Sequence, residues 1–180
     1  MLFILTGDIR SGKTTWLEAR VRELEATGVP VRGVLAPGVW RDGKKVGIEN
    51  VLLPDGERVL LARPAEQRCP GDLSWEFDAN ALARVNAHLA SLRGREGRPG
   101  RLGLLVIDEL GPLELRRGEG LTEAVALLEA GPTPSWPNAL IVVRAALVDD
   151  AHARLAGSWG SVELLSPNKA GAQRLRDSLL

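Results

Sequence analysis

Near its start the chain reads MLFILTGDIRSGKTTWLEA, an apolar run, a glycine-bearing loop and a helix-like stretch in quick succession. No other segment restricts the fold as strongly. A loop of the form G-x-x-x-x-G-K-[ST] carries its usual meaning only between a strand and a helix, and both flanks are present. Leu2 to Leu5 read as the strand. Leu17, Val21 and Leu24, spaced i, i+4, i+7, mark a helix face that stops at Gly28 with Pro30 just beyond. In that setting Gly7 and Gly12 let the backbone wrap round an anion, successive N–H groups from about Ile9 to Thr15 point inward, and the helix N-terminus adds partial positive charge. Lys13 is expected to reach the β and γ phosphates of a nucleotide and the Thr14 hydroxyl to hold Mg²⁺. The expected nucleotide-binding set is therefore Gly7, Asp8, Ile9, Arg10, Ser11, Gly12, Lys13, Thr14 and Thr15. Trp16 reads equally well as helix packing and as a base contact.

Five short apolar runs read as buried strands: Leu2 to Leu5, Val29 to Leu35, Leu102 to Ile107, Ala139 to Val143 and Val162 to Leu165. Most lack alternation, which suits a parallel sheet covered on both faces. Between them lie further helical patterns. One runs from about Asp78 to Arg93, with Leu82, Val85, Leu89 and Leu92 along one stripe. Another starts near Leu121 or Thr122 and stops at Gly131-Pro132, and a short one spans roughly Val148 to Ala156. The last is expected to begin at Ser166-Pro167, a cap residue followed by proline at the first helical position. The exception to strand–helix alternation is Ala36 to Arg63, where Asp42-Gly43 and Pro54-Asp55-Gly56 punctuate three extended stretches. These predict an antiparallel meander that extends the main sheet, since it has too little apolar surface for a core of its own. Pro64 to Trp75 and Arg93 to Arg101 read as linkers.

The second chemical signal is LLVIDELGPLEL. An apolar strand delivers Asp108 and Glu109 to its carboxyl end, where ligands of open α/β sheets bind. Asp108 suits the Mg²⁺ shell, usually through a water. Glu109 can take a proton from an attacking water or orient it. The plain alternative is an acidic pair acting as a cap or salt-bridge partner. The phosphate loop and the acid pair are expected side by side at the carboxyl edge of the sheet. Arg116 and Arg117 can serve as an arginine finger or simply face water, and Arg144, ending a strand, can sense a γ phosphate. His88 and His152 lie in helical patterns without ligand-like spacing to each other or to Cys69, so no transition-metal site is expected.

GDIRSGKTT, the meander with DGKKVG and VLLPDGERVLLAR, VIDELGPLEL and VELLSPNK together resemble the nucleoside-triphosphatase family that includes the cancer-related nucleoside-triphosphatase, small P-loop proteins of the RecA-like branch. The likeness spans almost the whole chain, and its most specific piece is the acid pair followed by Gly111 and a Glu-Leu. The resemblance implies a P-loop three-layer α/β sandwich and Mg²⁺-dependent hydrolysis of ATP, GTP and other nucleoside triphosphates, with loose base preference. Lys13 and Glu109 would be its catalytic residues and Thr14 and Asp108 its metal residues. The chain departs from the family pattern at Ala36 to Trp40, APGVW where relatives commonly have a Thr-Glu-Glu-Val-Arg-like segment. It has Leu113 for a methionine and Asn168-Lys169 for an Asn-Arg pair. Asn168 and Lys169 can line the base or ribose, or start the last helix.

At 180 residues the chain is the size of one domain, and residues 1–180 are expected to form a single P-loop NTPase domain. Its 23 basic and 23 acidic residues cancel, which argues against wholesale binding to nucleic acid or an acidic membrane. The arginines from Arg93 to Arg101 have no aromatic residue between them, which weakens the case for RNA. No apolar run approaches the ~20 residues that cross a bilayer. Cys69 is the single cysteine, and the first apolar run has no basic flank. A cytoplasmic protein is expected. Two rival functions remain open at this level: a kinase that passes the γ phosphate to a small acceptor, with Pro64 to Trp75 or Arg116-Arg117 as lid pieces, and a slow nucleotide-gated switch.

Overall fold

The computed structural model describes residues 1–8, 11–65, 75–94 and 103–179. The strands are β1 (Leu2–Leu5), β2 (Val31–Leu35), β3 (Gly38–Arg41), β4 (Lys44–Leu53), β5 (Glu57–Pro64), β6 (Trp75–Phe77), β7 (Leu104–Leu110), β8 (Asn138–Val143) and β9 (Val162–Leu165). The helices are α1 (Lys13–Ala26), α2 (Ala79–Ser91), α3 (Thr122–Glu129), α4 (Val148–Leu155) and α5 (Lys169–Leu179). All the described strands join one sheet in the order β6-β5-β4-β2-β7-β8-β1-β9, with β3 paired to β4 off that path. β2, β7, β8, β1 and β9 run parallel, and these are the five apolar runs.

Those runs lack alternation because both faces of the sheet are covered. Leu2 and Ile4 face a core shared with α2, α3 and α4, while Phe3 and Leu5 face a second core shared with α1 and α5. All four side chains of β1 are fully buried, each contributing about 2 kcal/mol relative to exposure. The result is the expected three-layer α/β sandwich. Among the described residues no helix is long and apolar enough to cross a membrane.

The meander joins the parallel sheet directly, since β4 pairs antiparallel with β2 and carries β3 and β5. Its first hairpin turns at Asp42-Gly43, both with positive φ, as a tight two-residue turn requires. One glycine fixes how β2 meets β7: at Gly33, with φ +117°, an added Cβ would lie 1.9 Å from the Val106 carbonyl oxygen.

Four boundaries differ from expectation. Trp75 belongs to β6, a short edge strand on β5, rather than to a linker; three residues are too few to show a period. Pro64 likewise closes β5. β7 begins at Leu104 and continues through Asp108 and Glu109 to Leu110, so the acid pair lies inside the strand and not past its end. The last helix starts at Lys169, because the Asn168 side chain, not Ser166, accepts the Gly171 N–H at 2.9 Å and caps it. β8 lies between β1 and β7, so the phosphate loop and the acid pair come from strands one apart, and the Thr14–Asp108 contact still sets them side by side.

Candidate active site

α1 begins directly after the loop, with Gly12 at its N-cap in the left-handed region, φ +79°, where a side chain would cost about 1–2 kcal/mol. No side chain caps this end and no acidic residue occupies its first turn. The N–H groups of Lys13, Thr14 and Thr15 therefore have no partner within the helix and point out of its positive end. Ile9 and Arg10, expected in the same cradle, lie outside the described residues. The Ser11 N–H donates back to the Asp8 carbonyl at 3.2 Å, so it closes the loop instead of facing inward. Lys13 Nζ donates to the carbonyls of Gly7 (2.9 Å) and Asp8 (2.7 Å) and to Ser11 Oγ (3.4 Å), which uses all three ammonium protons on the loop itself.

Across β8, Asp108 meets this loop. The Thr14 hydroxyl donates to Asp108 Oδ1 at 3.4 Å, and the Ala36 N–H donates to Asp108 Oδ2 at 2.9 Å. One carboxylate thus ties the first turn of α1 to the end of β2. Strand alternation explains the direction: Leu104 and Val106 face the α1 core, and Asp108 continues that face. The side chain is 1% exposed. Burial pushes its carboxyl up to about 7, opposed by the Ala36 N–H and the Thr14 hydroxyl and assisted by the neighbouring Glu109.

Glu109 is turned differently. Ile107 pairs with Ile141 and Leu110 with Val143, so Asp108 and Glu109 together oppose the single residue Val142. This is a β-bulge. Glu109 adopts φ +66° within it, and its Oε1 accepts from Arg144 Nη2 at 2.9 Å. Arg144 follows β8, the strand between the loop strand and the acid strand. The pair is partly open to solvent, so its contribution to stability is under ~1 kcal/mol; its effect is to orient the carboxylate.

The second half of the acidic motif has a structural role that the sequence reading did not assign. Glu114, in a five-residue π-helical turn Leu113–Arg117, is buried and accepts from the N–H groups of Gly111 (2.9 Å) and Leu121 (3.1 Å). It holds the loop that leaves Glu109. A glutamate between leucines in PLEL was the available signal, since a buried carboxylate needs donors. Arg116 is ion-paired with Asp150 on α4, and Arg117 ends the turn exposed. His88 Nε2 lies 3.2 Å from the Gly33 carbonyl, and His152 is exposed. Trp16 donates from its indole N–H to the Asn168 carbonyl at 3.1 Å, with Arg20 over its ring, so it fastens α1 to the start of α5. Of the two readings for Asn168, its side chain oxygen serves the helix start. Lys169 is the first residue of α5 and exposed. Pro167, two residues earlier, sits against Gly7, where an added Cβ would be 3.7 Å from its Cδ.

Oxygen donors at Thr14 and Asp108, beside a ready anion cradle, fit Mg²⁺. Fold and site together define the class: a P-loop α/β sandwich in which the acid-bearing strand is separated from the loop strand by one other. Residues 2–135 match the family model described as NTPase, and the chain belongs to that family. Over 116 residues it is 31% identical to a cancer-related nucleoside-triphosphatase homolog of Bos taurus, a match spanning 62% of this chain and 60% of the bovine protein. Over 165 residues it is 30% identical to nucleoside-triphosphatase THEP1 of Hyperthermus butylicus, covering 89% of this chain and 82% of that one. The solution structure of a human cancer-related nucleoside triphosphatase superposes with a TM-score of 0.67 at 23% identity, over 98% of this chain and 93% of the human one. That superposition supports the fold.

Proposed function

We propose that the chain is a Mg²⁺-dependent nucleoside-triphosphatase that hydrolyses ATP, GTP and other nucleoside triphosphates to the diphosphate and phosphate. The Thr14–Asp108 contact carries this reading, because it sets a buried carboxylate against the first turn of a helix whose opening N–H groups have no side-chain cap among the described residues. Relatives named nucleoside-triphosphatase support the reaction.

Triphosphate binding draws Lys13 Nζ off the Gly7 and Asp8 carbonyls and onto the β and γ oxygens, exchanging neutral acceptors for charged ones. The N–H groups of the first turn of α1 hold the same oxygens. The Thr14 hydroxyl and Asp108 would hold Mg²⁺, which would supply positive charge against the phosphate oxygens. Glu109, oriented by Arg144, accepts a hydrogen bond from the attacking water and aligns it with the γ phosphorus, opposite the leaving diphosphate. Positioning supplies most of the acceleration, since little covalent chemistry falls to the protein.

The test is inorganic phosphate release from ATP, GTP, CTP and UTP with Mg²⁺ and with EDTA. Release from several of the four that EDTA abolishes is the expected result. Release that persists in EDTA, or none from any nucleotide, would contradict the proposal.

A further inference from the structure

Between the meander and the end of β7 lies a cavity of about 220 Å³. Ile48, Leu61, Trp75, Phe77, Leu82 and Leu113 supply apolar walls, with the β6 aromatics at one side. The remaining wall is chemically different. Asp108, Glu109, Glu114 and Arg144 border it, so the cavity reaches the carboxylate proposed to align water.

Its second unusual feature is Asn50. This β4 side chain lines the cavity at 1% exposure. Its amide N–H₂ donates to the carbonyls of Leu35 (3.3 Å) and Glu49 (3.4 Å), which leaves Oδ1 as the end with spare capacity. That oxygen is buried and has no hydrogen-bond partner among the described residues. A buried acceptor left without a donor costs about 1–3 kcal/mol, and a ligand N–H or O–H in the cavity removes that cost.

We propose that this cavity is a binding site for a second small molecule: compact, uncharged, ring-bearing, with one N–H or O–H that donates to Asn50 Oδ1. The volume fits, since an apolar cavity of about 150 Å³ already takes a benzene ring. The lining suits an uncharged body, because its charged groups already have partners: Glu109 with Arg144, Asp108 with Thr14 and the Ala36 N–H, and Glu114 with the Gly111 and Leu121 N–H groups. A ligand seated there abuts the Glu109–Arg144 pair, so its binding changes the rate of phosphate release. This last clause rests on the proposed role of Glu109; the binding itself does not.

Phenol and toluene, matched in size and differing in one donor, are the probes. Each is titrated into nucleotide-free protein while the methyl NMR signals of Ile48, Leu61, Leu82 and Val31 are followed, the last as a remote control. Phenol is expected to shift the first three saturably, with toluene binding several-fold more weakly. Asn50→Leu is expected to erase that preference. Because Asn50 also holds two carbonyls, Leu82→Trp provides an independent variant that fills the cavity and abolishes binding of both probes. No saturable shift at the cavity methyls, equal affinity for the two probes in the wild type, or phenol binding unchanged in Leu82→Trp would overturn the site. In the second arm, saturating phenol is expected to alter phosphate release by at least twofold in the wild type and not in Leu82→Trp. An unchanged rate with binding demonstrated would overturn the coupling and leave the hydrolase reading standing, whereas a protein that releases no phosphate at all would fail that reading while the titration still decides the site.

Discussion

Glu109 holds a conformation that a glutamate does not choose, φ +66° inside a strand. An L-residue in that region costs about 1–2 kcal/mol, and the bulge imposes it in order to turn this carboxylate away from the face taken by Asp108. Two substitutions separate the backbone cost from the chemistry. Glu109→Gly and Glu109→Ala both lose the Arg144 pair, yet only the alanine retains the strained φ. Chemical denaturation is expected to find the glycine variant more stable than the alanine variant by about 1 kcal/mol, with both inactive in phosphate release; equal stability would mean that the bulge relaxes on substitution. At this scale the strand, loop and helix that frame Lys13 were legible because their residues are contiguous. Glu114 was not, since its partners Gly111 and Leu121 become its donors only once the π-helical turn has formed. Arg144 was legible as a strand-end residue, but its bond to Glu109 depends on which strands are neighbours.

At the scale of elements, the parallel strands could be read because burial on both faces leaves a run of branched aliphatics with no alternation to mislead. β1, at full burial along its length, is the clearest case. The meander could be read from its turn residues, and its two turns fall at Asp42-Gly43 and at Pro54-Asp55-Gly56. Strand ends were harder. β7 carries two charged residues inside its last turn of pairing, and charge reads as loop unless a buried bond network is known to receive it. Asp108 is received by Thr14 and Ala36, which come from distant parts of the chain. The start of α5 shifted for a similar reason: Ser166, Pro167 and Asn168 all satisfy local capping rules, and the contact of Trp16 with the Asn168 carbonyl helps place the first turn. β6 had no pattern to find, and its existence follows from the free edge of β5.

For the whole molecule, the decisive fact is sheet order, which no local pattern encodes. Placing β8 between the loop strand and the acid strand lets α1 cross toward β7, and Asp108 becomes the joint between the two halves of the site. That joint has a pH signature in metal-free, nucleotide-free protein. The ordinary carboxyl value is 3.8, and burial raises it to about 7 in the folded state. Between those values the unfolded chain has released the proton and the folded one has not, so the folded state binds more protons. The contribution of Asp108 therefore makes stability fall as pH rises from about 4 to about 7 and level off above, by on the order of 4 kcal/mol in all. Asp108→Asn is expected to remove this slope when the midpoint of denaturation is followed across pH; a slope that survives the substitution would assign it to other groups.

The central claim is that Glu109 turns a phosphate grip into a hydrolase, and Glu109→Gln tests it most directly. The substitution keeps size and shape and removes the proton-accepting charge. Phosphate release from Mg²⁺-ATP and Mg²⁺-GTP at saturation is expected to fall by about 10² or more, while nucleotide affinity, measured by titration of the same variant, stays within about threefold of wild type. Wild-type release by Glu109→Gln would contradict the account.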